Sequence, residues 1–211
     1  MKLKLMVIGF FKDRSDLMND LINKIKDYAV VNNVPIMTDE GIEFLTDYIK
    51  KNNVKRILEV GTAIGYSAIM MCNVSEDITV TTIERDKVRY DEAVKNVDSF
   101  NYNDRINLIF GDALEVEIDG KYDLIFIDAA KAQNIKFFEK YKVNLEDNGT
   151  IITDNMNFHG LTFMEDTTNL SRNLKQLVRK LKNYHEFLKG NTEFSTEFYD
   201  IGDGIAISKR K

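Results

Sequence analysis

The stretch Glu59-Val60-Gly61-Thr62-Ala63-Ile64-Gly65-Tyr66-Ser67-Ala68 follows directly on the run Arg56-Ile57-Leu58. Two glycines among small residues behind an apolar run read as a strand turning sharply into a helix. Such a turn lets the backbone pass close to a bound nucleotide and present amide groups to it. The strict G-x-G-x-x-G spacing is absent, which disfavours a pyrophosphate-binding turn. Taken alone, the stretch is equally compatible with an ordinary structural turn.

The rest of the chain gives it a context. From Arg56 onward, short runs rich in Ile, Val and Leu (RILEV, ITVTTIE, INLIF, YDLIFI, GTIIT) alternate with amphipathic segments such as DKVRYDEAVKNVDSF and AQNIKFFEKYKVNL. Strands that are apolar throughout, separated by helices, are what a parallel sheet covered on both faces requires. The pattern predicts an α/β, doubly wound, Rossmann-like core. No internal repeat is visible. The segment TEFSTEFYDIGDGIAISKRK breaks the alternation and predicts an antiparallel hairpin around Gly202-Asp203-Gly204.

Ahead of the sheet, SDLMNDLINKIKDYAVVNNVPIMTDEGIEFLTDYIKK reads as helical on both sides of the only proline. Leu17, Leu21, Ile25 and Tyr28 form an apolar stripe that serves either to dock on the sheet or as a dimer surface. Thr38 is placed to N-cap the second of these helices, with Asp39 and Glu40 in its first turn. The expected organisation is one globular domain over residues 1–211, of which 1–50 form an N-terminal helical extension.

Bulk properties narrow the setting. The 211 residues are 44% hydrophobic and 30% charged, with a net charge of -5, which argues against indiscriminate binding to nucleic acid. A single cysteine, Cys72, cannot close an internal disulfide and fits a reducing compartment. The initial apolar run ends at Lys12-Asp13-Arg14, and nothing later approaches the roughly 20 apolar residues of a membrane span. A cytoplasmic protein that does not enter membranes is expected.

Ligands in open α/β sheets bind beyond the carboxyl ends of the strands. Five runs end there in glycine or polar residues: Glu59-Val60-Gly61, Glu84, Gly111-Asp112-Ala113, Asp128-Ala129-Ala130-Lys131 and Asp154-Asn155. Gly61 and Gly65 would let the backbone approach a ligand, Glu84 can accept hydrogen bonds from a ribose diol, and Asp112 from an adenine amino group. Asp128, Asp154 and Asn155 form a set of hard oxygen donors suited to Mg²⁺ or Ca²⁺. The same residue types also cap helices and turns, so spacing alone leaves both readings open. Lys131 is near enough to serve as a base if desolvation and a cation lower its pKa; its other reading is a solvated surface lysine.

In this order, EVGTAIGYSA, TIERD, GDALE, YDLIFIDAAK and GTIITDN resemble the catechol and caffeoyl-CoA type of cation-dependent O-methyltransferase, from about Val34 to Lys209. Within that family, VPIM, FIDAAK, ITDN and GDGIAISKRK are most similar to the bacterial tRNA 5-hydroxyuridine methyltransferases. The resemblance implies a class I methyltransferase fold, a mostly parallel seven-stranded sheet with helices on both faces and an antiparallel C-terminal hairpin. It implies S-adenosylmethionine and Mg²⁺, or another hard divalent cation, as cofactors. Met37, Gly61, Ser67, Glu84, Asp112, Ala113 and Asp128 fall on positions that contact S-adenosylmethionine, with Glu59 and Gly65 in the same turn assigned alongside them. Asp128, Asp154 and Asn155 fall on the metal positions, with Asp128 and Lys131 catalytic and Lys131 the general base. The residues MNFHG depart from the family pattern, as do the first 15 residues; His159 is a candidate substrate-loop residue.

An RNA substrate needs cations for its phosphates. In SRNLKQLVRKLKNYHEF, Leu170, Leu174, Leu177, Leu181 and Tyr184 fall on one side of a helix, and Arg172, Lys175, Arg179 and Lys182 on the other. That basic face is expected to bind the tRNA anticodon loop, and a homodimer is expected. A methyltransferase of small catechol-like phenols and a non-enzymatic RNA-binding module are the alternatives.

Overall fold

The computed structural model describes residues 14–129, 131–157 and 170–211. Two helices open it, α1 (Arg14–Val31) and α2 (Asp39–Lys51), and the sheet follows: β1 (Arg56–Val60), α3 (Tyr66–Asn73), β2 (Thr79–Glu84), α4 (Lys87–Ser99), β3 (Ile106–Phe110) and β4 (Tyr122–Ile127). A short 3₁₀ turn, Lys131–Gln133, leads into α5 (Asn134–Tyr141), β5 (Leu145–Thr153), α6 (Arg172–Lys189), β6 (Phe194–Tyr199) and β7 (Ile205–Arg210).

The seven strands lie in the order β3-β2-β1-β4-β5-β7-β6. All neighbours from β3 to β5 are parallel, and β7 pairs antiparallel with both β5 and β6. The strand order reverses between β1 and β4, the place where doubly wound sheets leave a crevice beyond their strand ends.

The alternation of side chains along each strand divides the core in two. Ile57 of β1 and Leu124 and Phe126 of β4 face α1 to α3, together with Leu45, Ile49 and Ile69. Leu58, Val60, Ile125 and Ile127 face the other way, onto Phe138, Tyr141, Tyr184 and Leu188 of α5 and α6. These strand residues are fully buried, and each contributes roughly 1.5–3 kcal/mol of transfer free energy. The Asp123 carboxylate accepts the Lys55 and Arg56 amides at 2.8 Å each, which ties the start of β1 to β4.

The predicted helices form where their patterns place them. Thr38 caps α2 by accepting the Gly41 amide at 3.2 Å. On α1 the docking face is Ile25 and Ala29, with Leu21 and Tyr28 partly buried, whereas Leu17 is 54% exposed. On α6, Val178, Leu181, Tyr184 and Leu188 are buried, so Val178 belongs to the apolar face that spacing alone assigned to its neighbours. Cys72 is buried and burial pushes its thiol up to about 12, the behaviour of a small core residue. No described helix is long and apolar enough to cross a membrane.

Candidate functional site

A cavity of about 320 Å³ opens at the crevice beside β1 and β4. Met37, Gly61, Glu84, Asp112, Ala113, Asp128, Asp154 and Asn155, all singled out by sequence, line it together. They come from separate strand ends and from the segment before α2, brought to one edge by parallel pairing.

At the β2 end, both Glu84 carboxylate oxygens are held by the backbone: Oε2 accepts the Ala63 amide and Oε1 the Asp86 amide, each at 2.8 Å. Each oxygen keeps a second lone pair for a ligand hydroxyl. Asp112 accepts the Leu114 amide at 2.9 Å through Oδ1 and faces the Arg85 guanidinium at 3.5 Å through Oδ2.

The glycine turn works differently from the sequence expectation. The Gly61 and Thr62 amides donate to the Ile83 carbonyl at 3.1 and 3.2 Å, and Gly65 donates to Thr62 at 2.9 Å. These amides stitch the turn to β2 and to itself instead of pointing at a ligand. Gly61, at φ +103°, approaches the neighbouring strand: an added Cβ would lie 2.1 Å from the Asp128 carbonyl oxygen. Gly65 enters α3 in the left-handed conformation, at φ 84°, and is absent from the cavity lining.

Glu59 and Ser67, assigned by sequence to the cofactor, are also absent from that lining. Glu59 lies one residue before the end of β1, two before Gly61, and is fully buried. Its two carboxylate oxygens accept the hydroxyls of Ser67 and Thr82. Burial pushes its pKa up to about 7 against the opposing pull of those two hydrogen bonds, with the Glu84 charge adding to the rise.

At the β4 and β5 ends, Asn155 sits in the left-handed region at φ 65°. Its side-chain nitrogen donates to Asp128 Oδ1 at 2.8 Å and Asp154 Oδ2 at 3.2 Å. Two carboxylates therefore converge on one amide group. Turning that amide about its last bond would present Oδ1 instead, giving three oxygens around a common point, a set that fits a hard divalent cation. Among the described residues no three of His, Cys, Asp and Glu gather as a metal cluster, because the third donor of this trio is a carboxamide.

Lys131 begins the 3₁₀ turn that follows Asp128 by three residues; its side chain lies outside the described structure, as does His159. Arg172, Lys175 and Arg179 are exposed on α6 and Lys182 is partly so. Sequence reasoning missed Arg85, Arg89, Gln133, Phe137 and Asp203, which also line the cavity. Arg85 stands next to Glu84 in the quoted TIERD, a signal available in the sequence. Asp203 had none, because its position depends on where the hairpin packs.

The profile of the O-methyltransferase family matches residues 11–211, reaching further toward the N-terminus than the resemblance from Val34. A caffeoyl-CoA O-methyltransferase of Populus kitakamiensis is 26% identical, over 88% of this chain and 82% of its own. A solved structure of a Staphylococcus aureus protein, provisionally assigned as a caffeoyl-CoA O-methyltransferase, is 42% identical with a TM-score of 0.85, covering 90% of this chain and 92% of that one. A Bacillus cereus O-methyltransferase solved with S-adenosylhomocysteine (SAH) is 25% identical with a TM-score of 0.77, covering 91% of each chain. Profile, fold and cavity agree: the chain is an enzyme of the O-methyltransferase family.

Proposed function

We propose that the enzyme transfers the methyl group of S-adenosylmethionine to the 5-hydroxyl of 5-hydroxyuridine at the tRNA wobble position, giving 5-methoxyuridine. The adjacency, in one cavity, of a backbone-fixed Glu84 and the oxygen trio Asp128, Asp154 and Asn155 carries the methyl-transfer part of the reading, and the exposed cations of α6 carry its RNA part. Glu84 would take the ribose diol and Asp112 the adenine amino group, and the SAH held by the Bacillus cereus relative supports that choice of ligand.

Methyl transfer breaks the sulfonium carbon–sulfur bond and forms an oxygen–carbon bond in line, leaving SAH, so the protein must align the acceptor and relieve it of its proton. Asp128, Asp154 and Asn155 would hold Mg²⁺ or a similar ion, which supplies Lewis-acid stabilisation of an oxyanion when bound. Lys131, three residues after Asp128, is assigned the hydroxyl proton. The 5-hydroxyl of 5-hydroxyuridine has O4 beside it, as one catechol oxygen has the other, so the trio suits both acceptors. The exposed cations Arg172, Lys175 and Arg179 would meet anticodon-loop phosphates. This reading places the enzyme in the cytoplasm and, with Leu17, Val30 and Val31 exposed on α1, pairs two copies through that helix.

The caffeoyl-CoA O-methyltransferases among the relatives favour a second reading, a small vicinal phenol as acceptor. Radiolabelled S-adenosylmethionine offered with tRNA bearing 5-hydroxyuridine, and separately with caffeoyl-CoA, decides between them. Label in tRNA alone upholds the first; label in caffeoyl-CoA alone replaces it with the second. Full activity after EDTA treatment, with no metal in the protein, would sink the cation's part in either.

A further inference from the structure

We propose that Glu59 is a positioning residue for cofactor binding: from beneath the glycine turn its carboxylate anchors a hydroxyl chain that holds the turn in the shape on which Glu84 depends. The inference rests on the S-adenosylmethionine reading of the cavity and is independent of the acceptor.

Four residues form the chain. Thr82 donates to Glu59 Oε2 and Ser67 to Glu59 Oε1. With its proton given to the carboxylate, the Thr82 oxygen is left to accept from the Thr62 hydroxyl at 2.6 Å. All four side chains are buried, Glu59 and Thr82 completely. A carboxylate is the only side-chain group here that can terminate two hydroxyl donors without supplying a proton of its own. It thereby fixes the direction of every hydrogen bond out to Thr62, and links β1, β2, α3 and the turn.

The turn needs such a hold. Ala63 adopts φ 46°, a left-handed conformation that strains a non-glycine residue and persists only when its surroundings enforce it. Ala63 is also the residue whose amide fixes Glu84 Oε2. A relaxed Ala63 would withdraw that amide and free the carboxylate that is to receive the ribose. Glu59 thus acts on the ligand through Thr82, Thr62 and Ala63, with no contact of its own.

Glu59→Gln tests this, because the isosteric amide replaces one acceptor oxygen with a donor. Assayed at about pH 8.5, where Glu59 with its pKa of about 7 is ionised, the expected result is a rise of about tenfold in both the KM for S-adenosylmethionine and the Kd for SAH, with kcat at saturation falling less than about threefold, the scale of one charge-assisted hydrogen bond. Adding Ala63→Gly removes the conformational strain and should recover most of the affinity, a rescue that general loss of stability would not show. If Glu59→Gln folds poorly, Thr82→Val cuts the same chain and should raise KM alike, while Thr82→Ser keeps it near wild type. An unchanged KM in Glu59→Gln and Thr82→Val, equal losses in kcat and kcat/KM, or no rescue by Ala63→Gly would each overturn the proposal. Failure of the wild-type protein to bind SAH would instead overturn the cofactor reading.

Discussion

Gly61 passes so close to Asp128 that a methyl group on its Cα would sit 2.1 Å from the Asp128 carbonyl oxygen. The contact joins the first strand end of the cavity to the strand end that begins the oxygen trio, and it sets the terms on which either can change.

Gly61→Ala should therefore fail through the protein's own backbone before any cofactor is involved. The clash and the φ of +103° together predict a loss of at least about 3 kcal/mol. Urea denaturation without ligand checks this; a drop that appears only with SAH present would locate the conflict at the ligand instead.

Removing the amide of the trio separates chemistry from cofactor binding. Asn155→Gly keeps the left-handed backbone at φ 65° and deletes one oxygen donor, so activity should fall about 100-fold or more. SAH affinity, measured by titration calorimetry, should change less than about threefold, since Glu84 and its backbone partners are untouched.

Glu59 gives stability a distinctive pH dependence. Its folded-state pKa is raised from 4.5 to about 7, so between those values the folded chain holds the proton more tightly than the unfolded chain. Stability attributable to this group is therefore lost as pH rises through that window, by about 3 kcal/mol in all. His185, whose pKa burial lowers from 6.5, acts oppositely, losing stability as pH falls. Urea midpoints from pH 5 to 8 should show Glu59→Gln gaining on the wild type as pH rises; parallel curves would count against a buried, titrating Glu59.

The exposed face of α6 offers a salt test. Arg172→Ala with Arg179→Ala should weaken binding to tRNA and reduce the slope of log affinity against log salt by about 2. SAH affinity should stay as it was, because neither residue lines the cavity. An unaltered slope would leave that face as solvated surface.

Much of this architecture was legible because parallel strands with continuous apolar runs, RILEV and YDLIFI above all, announce both their burial and the edge at which they end. Glu84, Asp112, Asp128 and Asp154 could be placed together for that reason. Glu59 shows what residue order leaves out: it stands one residue short of the same strand end, and a step of about 3.3 Å along a strand puts it fully buried beneath the cavity and outside its lining. Ser67 followed it inward, its hydroxyl going to the buried carboxylate. Asp203 and Arg89 depend on how a hairpin and a helix pack against the edge, and residue order does not encode that locally.

The hairpin between β6 and β7 carries one more implication. Its turn reaches back to α2, where the Gly202 amide donates to Glu40 at 3.2 Å across 162 positions of sequence, and Asp203 from the same turn lines the cavity. During synthesis the glycine turn and Glu84 emerge long before this last stretch of rim. A ribosome-bound chain that stops short of residue 200 would therefore lack β7, the strand that joins β5 to β6, together with the Asp203 part of the rim, so the sheet beside β5 and that side of the cavity are completed in one late step.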